Sequence, residues 1–185
     1  MWGAKFFQLF FVPLLWSRGA VAEVRYACAF SEEVQECPNF KNEYFDASGL
    51  KLSDDDGLGL SGALNVKVAV DVGDEMCADV WKMTEVGKEM VFSACGDICD
   101  NLDDKNNPWY PLFDKMNTKS CPIEAKVYEI DNMIIDLAFA NGVMCHEFCA
   151  EYEVTLSVKD KTDQKSCNIL NIVIYESNDD ANEEK

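Results

Sequence analysis

The chain has 185 residues, with 34 acidic against 16 basic side chains and a formal net charge of −18. That balance excludes nucleic-acid binding, which needs a basic surface to neutralise phosphates. It also disfavours adhesion to anionic membranes.

The chain opens with Lys5, an almost unbroken apolar run from Phe6 to Trp16, and Ala20-Val21-Ala22, a small-x-small cleavage site. The run is short for a bilayer, and no second apolar run of about 20 residues follows. Residues 1–22 are therefore expected to be a secretory signal peptide, with no stable membrane insertion. Removing them takes away Lys5 and Arg18, so 14 basic residues (16 less 2) face 34 acidic ones. The remaining 163 residues (185 less 22) suit one domain with a sizeable core. The domain is expected over 23–176, followed by an acidic, disordered tail over 177–185.

Period-2 alternation dominates that domain. Strands are expected at 24–30 and 44–52, then a turn at Asp54-Asp55-Asp56-Gly57. Leu64, Val66, Val68, Val70 and Val72 then point one way, with Asn65, Lys67 and Asp71 opposite. Further strands are expected at 77–84 and 88–94. Helical signal is poor and limited to Ile98–Asp103 and Tyr110–Met116. There the apolar cluster Trp109, Tyr110, Leu112 and Phe113 runs into Cys121-Pro122. Ordinary loops are polar, so this one reads as a lid over something apolar. A strand at 123–130 follows, then an apolar row Met133, Ile135, Leu137 and Phe139, and a turn at Asn141-Gly142. Phe148, Ala150, Tyr152, Val154, Leu156 and Val158 form the next row, and Asp160–Cys167 a hairpin loop. Residues 168–175 end the series, and because Ile169–Tyr175 is apolar on both faces it is expected at the centre of a sheet.

Many short strands with regular turns imply an all-β fold: a single antiparallel β-sandwich or β-cup of the immunoglobulin-like, two-sheet kind. Such sheets either close on a filled core or splay around an apolar pocket. Periodicity does not separate these outcomes, and the aromatic loop favours the pocket.

The nine cysteines all follow the signal, which in a secreted chain reads as a disulfide framework. Four bridges would leave one thiol, either buried or linking two chains into a disulfide-bonded dimer. Cys95-x3-Cys99 and Cys145-x3-Cys149 have ligand-like spacing, but an oxidising compartment argues against zinc. His146, the only histidine, is read as a surface turn residue: no second histidine follows four residues on, and no G-x-S-x-G elbow exists. The three adjacent aspartates before Gly57 lack the alternating acids of a calcium loop. No metal, cofactor or catalytic residue is expected.

Several motifs over roughly 95–175 carry a resemblance. They are Cys95-Gly96-Asp97-Ile98-Cys99, the Cys121-Pro122-Ile123 step followed by Tyr128, and Tyr152-Glu153-Val154 followed by Cys167-x-Ile169. In these the chain resembles the ganglioside-activator branch of the lipid-recognition (ML-like) superfamily, which includes insect secreted and chemosensory proteins. It departs from that pattern at Lys126 and at Ala150-Glu151, where the family has glycine and Gly-Asn, and in the additional Cys145 and Cys149. The resemblance implies a β-cup holding a lipid or another apolar molecule between two sheets. It also implies a bridge from Cys28 or Cys37 to Cys167 and one from Cys95 or Cys99 to Cys121, and leaves Cys145–Cys149 open as a local bridge.

The expected function is a secreted, extracellular or lysosomal carrier of a hydrophobic small molecule such as a fatty acid, glycolipid or apolar semiochemical. Trp109, Tyr110, Leu112, Phe113, Val127, Ile135, Leu137, Phe139, Tyr152, Val154 and Leu156 are the expected contacts. At about 0.8 kcal/mol per buried CH₂, a ~12-carbon chain offers on the order of 10 kcal/mol gross, and immobilisation removes several kcal/mol of that. The alternatives are an extracellular protein-interaction module with a filled core, and an accessory that presents lipid to a hydrolase, with a receptor or that hydrolase as partner.

Overall fold

Residues that alternate between apolar and polar have one dry face and one wet face, and two such sheets bury their dry faces together. A computed structural model describes residues 24–53, 59–107, 109–135 and 144–177. The expected signal peptide, the expected turn at 54–57, the stretch holding Leu137, Phe139 and Asn141-Gly142, and the expected tail beyond Ser177 lie outside the described residues.

The described strands are β1 (Arg25–Phe30), β2 (Gln35–Glu36), β3 (Phe45–Leu52), β4 (Gly59–Val66), β5 (Glu75–Thr84), β6 (Gly87–Asp97), β7 (Val127–Ile134), β8 (Ala150–Lys159) and β9 (Gln164–Ser177). All pair antiparallel. The larger sheet runs β1-β9-β8-β5-β6, with β2 added to β9, and the smaller runs β3-β4-β7. The expected antiparallel sandwich is therefore present, stapled by three disulfides and carrying one short helix, α1 (Tyr110–Lys115). A 3-10 turn at Cys99–Asn101 meets the other helical expectation.

The core is built from the inward rows. Tyr152, Val154 and Val158 on β8, Met76 and Ala78 on β5, and Leu170 and Ile172 on β9 face Leu60, Leu64 and Val66 on β4 and Tyr128, Ile130 and Met133 on β7. Each fully buried side chain of this size contributes about 1.5–3 kcal/mol. As its two apolar faces imply, β9 is interior, flanked by β8 on one side and β1 and β2 on the other. It runs through Glu176 and Ser177, which pair with Tyr26 and Arg25, one residue into the expected tail. Close approach of β3 and β4 requires glycine: a Cβ at Gly62, whose φ is +125°, would lie 2.2 Å from the Gly49 carbonyl oxygen.

Three expectations shift. The valine row does not continue past β4. Val68 and Val72 are exposed, and only Val70 is buried, pairing with Ile123. The chain leaves the sheet at Val66, so alternation there has no neighbouring strand to serve. The expected strand at 123–130 and the start of the row at Met133 share one strand, β7, in which Asn132 takes φ +43°. That kink sets Ile130 and Met133, three residues apart, on the same buried side. Phe148 belongs to a 3-10 turn, His146–Phe148, and is exposed.

The bridges are Cys37–Cys167, Cys77–Cys95 and Cys99–Cys121. Two of them match the pairings that the resemblance implied. Cys77, which was outside the expected framework, is bridged because it sits directly opposite Cys95 in the β5–β6 ladder. Cys28, Cys145 and Cys149 are free, which corrects their expected place in the framework. Cys28 lies buried in mid-β1 with Ile174 as its cross-strand partner, so no thiol is opposite it. A 3-10 turn separates Cys145 from Cys149, whose sulfur faces His146 and Glu176 instead. Cys77, Ser157 and Cys167 form one rung on the outer face of the large sheet, so two disulfides flank and bury Ser157.

Candidate functional site

The segment between β6 and β7 crosses one end of the sandwich. It is anchored by what the sequence marked as a lid. Ile98, Leu102, Trp109, Phe113, Met116 and Ile123 are all buried, and the Cys99–Cys121 bridge closes the segment on itself. Pro111 stands in the first turn of α1, where a missing N–H costs nothing. Gly96 on β6 lies beside the indole: a Cβ there would stand 3.4 Å from Trp109 Cζ2, an ordinary contact, and 3.1 Å from Asn101 Nδ2.

Behind this segment lies an apolar cavity of about 70 Å³. Trp109, Pro111 and Leu112 close one side. Phe30, Val34, Met76, Leu156, Val158 and Leu170 line it from the large-sheet side, and Phe45, Ala47, Leu50, Leu60, Leu64, Met133 and Ile135 from the small-sheet side. Asn168 is the polar exception, and its Oδ1 accepts a hydrogen bond from Asn42 Nδ2 at 3.0 Å. At ≳10–15 Å³ per water-sized group, the cavity has room for about five such groups. Sites for drug-sized ligands run to about 300–1,000 Å³. The sandwich is thus neither fully filled nor an open cup.

Of the expected contacts, Trp109, Leu112, Ile135 and Leu156 line this cavity together. Phe113 is fully buried but packs in the core beneath α1. Tyr110 faces away, with its hydroxyl 3.2 Å from Asp114 Oδ1. Burial, followed by that hydrogen bond, raises the Tyr110 pKa. Tyr152 and Val154 are buried core residues off the cavity, and the Tyr152 hydroxyl donates to the Phe148 carbonyl. Val127 is exposed, which corrects its expected role: alternation on β7 puts it with Glu129 and Asp131, opposite Tyr128 and Ile130.

Five of the thirteen contacts missed come from β3 and β4. The signal was available in Phe45, Ala47 and Leu50 and in Leu60 and Leu64, apolar positions inside expected or neighbouring strands. What was lacking was a reason to prefer that end of the sandwich.

Few polar groups face the cavity. Trp109 Nε1 and Asn107 Nδ2 are buried without an acceptor among the described residues. Cys28 sits in the core, and burial pushes its thiol up to about 12, so it stays neutral and unreactive. His146 lies in the 3-10 turn before β8, highly exposed, with Nδ1 2.9 Å from Oε1 of Glu176 near the end of β9. Burial, then the charges of Glu176, Cys149 and Cys145, raise the pKa of nearby Tyr26.

The chain matches no protein-family model, and comparison with curated proteins gives no match either. Among the described residues, no helix is long and apolar enough to cross a membrane. Three intramolecular disulfides fit an extracellular or lumenal location, where such bonds persist.

Proposed function

We propose that this protein is a secreted carrier that binds a hydrophobic small molecule, of the fatty-acid, glycolipid or apolar-semiochemical class, between its two sheets. The observation that carries this reading is the apolar cavity under Trp109, Pro111 and Leu112, open to both sheets and bounded by a single polar side chain. Its present size admits the end of an acyl chain. A longer ligand enters by displacing the lid segment and extending along the cavity past Leu60, Met133 and Leu156. The likeness in cysteine pattern to the ganglioside-activator branch points the same way, and leaves presentation of lipid to a hydrolase or receptor as an extension of this role.

The test is native mass spectrometry of the protein without its signal, together with displacement of a fluorescent fatty acid. Bound lipid, or displacement by one lipid class, is the expected result. An empty protein that no lipid class displaces would sink the carrier reading.

A second reading, an extracellular protein-interaction module, draws on a different observation. Met83, Val86, Met90, Val91 and Phe92 are exposed around the end of the β5–β6 hairpin, and β6 is an edge strand. The burial of Trp109 weighs against the aromatic lid as that module's contact.

A further inference from the structure

One cluster of chemically competent side chains lies outside the cavity. His146, Cys149 and Glu176 offer a ring nitrogen, a thiol sulfur and a carboxylate oxygen, all within 4.8 Å of one another. We infer that they form a binding site for a zinc(II)-class ion, with Cys145, which opens the same turn, as the fourth ligand.

The donor set is the first argument. Thiolate, imidazole and carboxylate are the ligands zinc takes, and a mixed sulfur–nitrogen set at four positions suits its tetrahedral geometry. Tetrahedral ligands at Zn–S of about 2.3 Å and Zn–N or Zn–O of about 2.0–2.2 Å stand roughly 3.4–3.8 Å apart. The widest separation therefore has to close by about 1 Å and the His146–Glu176 pair, at 2.9 Å, to open by about half an ångström, which side-chain rotation supplies: His146 is 84% exposed and Glu176 40%.

The scaffold is the second argument. The ligands come from two elements, the turn before β8 and the end of β9, and the turn is fastened at every carbonyl. Phe148 N donates to Cys145 O at 2.9 Å and Cys149 N to His146 O at 3.0 Å. From neighbouring strands, Tyr152 Oη donates to Phe148 O at 2.8 Å and Lys82 Nζ to Glu147 O at 2.6 Å. Glu176 is held by the β1–β9 ladder opposite Tyr26, whose hydroxyl is within electrostatic reach of both thiols. The metal-binding backbone is in place before any ion arrives.

The third argument is redox chemistry. Six of the nine cysteines are bridged, yet Cys145 and Cys149 are free at the surface, four residues apart. Thiols in oxidising surroundings become disulfides unless they are buried or occupied. Cys28 is buried, and a bound ion would occupy the other two. Zinc carries +2, so two thiolates and one carboxylate leave a single negative charge, with imidazole neutral.

The test uses the disulfide-intact protein and the cobalt(II) ion as a spectroscopic probe. Titration of the parent and of Cys145→Ser, which removes any local bridge, is expected to give a thiolate-to-cobalt charge-transfer band in both. Zinc should displace it. Cys149→Ser is expected to weaken the band, and replacing Cys145 and Cys149 together by serine to abolish it. His146→Ala and Glu176→Gln should weaken zinc binding by more than the roughly 10–100-fold that loss of a supporting hydrogen bond costs. Glu147→Gln, on the same turn, should leave it unchanged. No thiolate band in either protein, or a Cys145–Cys149 bridge in the purified parent by non-reducing peptide mapping, overturns the site.

Discussion

Two apolar segments of this chain read much alike and end in opposite environments. The lid carries Trp109, Leu112, Phe113 and Met116; the β5–β6 hairpin carries Trp81, Met83, Met90, Val91 and Phe92. In the lid Trp109, Phe113 and Met116 are buried, whereas in the hairpin Met83, Met90, Val91 and Phe92 are exposed. Apolar content is not what separates them. The lid is tethered by Cys99–Cys121 and by the pairing of Val70 with Ile123, and it lies over the open end between two sheets. The hairpin ends the larger sheet, where β6 is an edge strand with a single strand neighbour. Covering surface, rather than hydrophobicity, decides which segment becomes core.

That contrast is open to measurement. The largest effect is expected at Phe113. Phe113→Ala should destabilise by about 3–5 kcal/mol in denaturant unfolding, while Phe92→Ala should stay within about 0.5 kcal/mol. Equal losses at the two sites would erase the distinction between lid and hairpin. Next is the tether. Replacing Cys99 and Cys121 together by serine should cost about 3 kcal/mol, the entropy of a loop of this span, and should speed ligand release if the lid is the gate.

Filling the cavity sharpens the comparison further. Leu156→Phe should cost about 1–3 kcal/mol through overpacking yet abolish fatty-acid displacement. Retained displacement would move the binding site elsewhere, with the β5–β6 surface the next to test.

The smallest expected effect is at acid pH. Hydrogen bonds from Ser48 and then Lys67 hold the Asp46 carboxyl below the usual carboxylate range. A lowered folded pKa means a contribution fully present above the ordinary value of about 3.9 and lost as pH falls through the folded value. Asp46→Asn should therefore flatten the stability profile below about pH 4 and leave the lid untouched. Unchanged acid unfolding would show that Asp46 gains nothing from Ser48 and Lys67.

Legibility in the sequence followed the range of the interaction. Strands whose alternation serves a neighbouring strand, such as Tyr152–Val158, were readable, because period-2 patterning records burial directly. Val68 and Val72 misled for the same reason, since the pattern continues where the sheet does not. The cavity was half legible. Trp109 and Leu112 stand out as apolar residues in a loop, but Leu60 and Met133 look like any core residue until the sheets are stacked. Val127 was misassigned although Glu129 and Asp131 share its face.

By itself the sequence determined the antiparallel sandwich, the interior place of β9, the helical turn at Tyr110–Lys115 and the involvement of Cys121 and Cys167 in bridges. These rest on local periodicity, on turn chemistry and on a resemblance in cysteine pattern. Only the tertiary structure decided which thiols meet: Cys77 found Cys95 because the β5–β6 register sets them opposite, and Cys149 came to His146 and Glu176 because β9 ends beside the turn. It also decided how much space the lid encloses. Disulfide pairing, side-chain clusters across strands and cavity volume all depend on distances between residues far apart in the chain, and a one-dimensional pattern does not contain those distances.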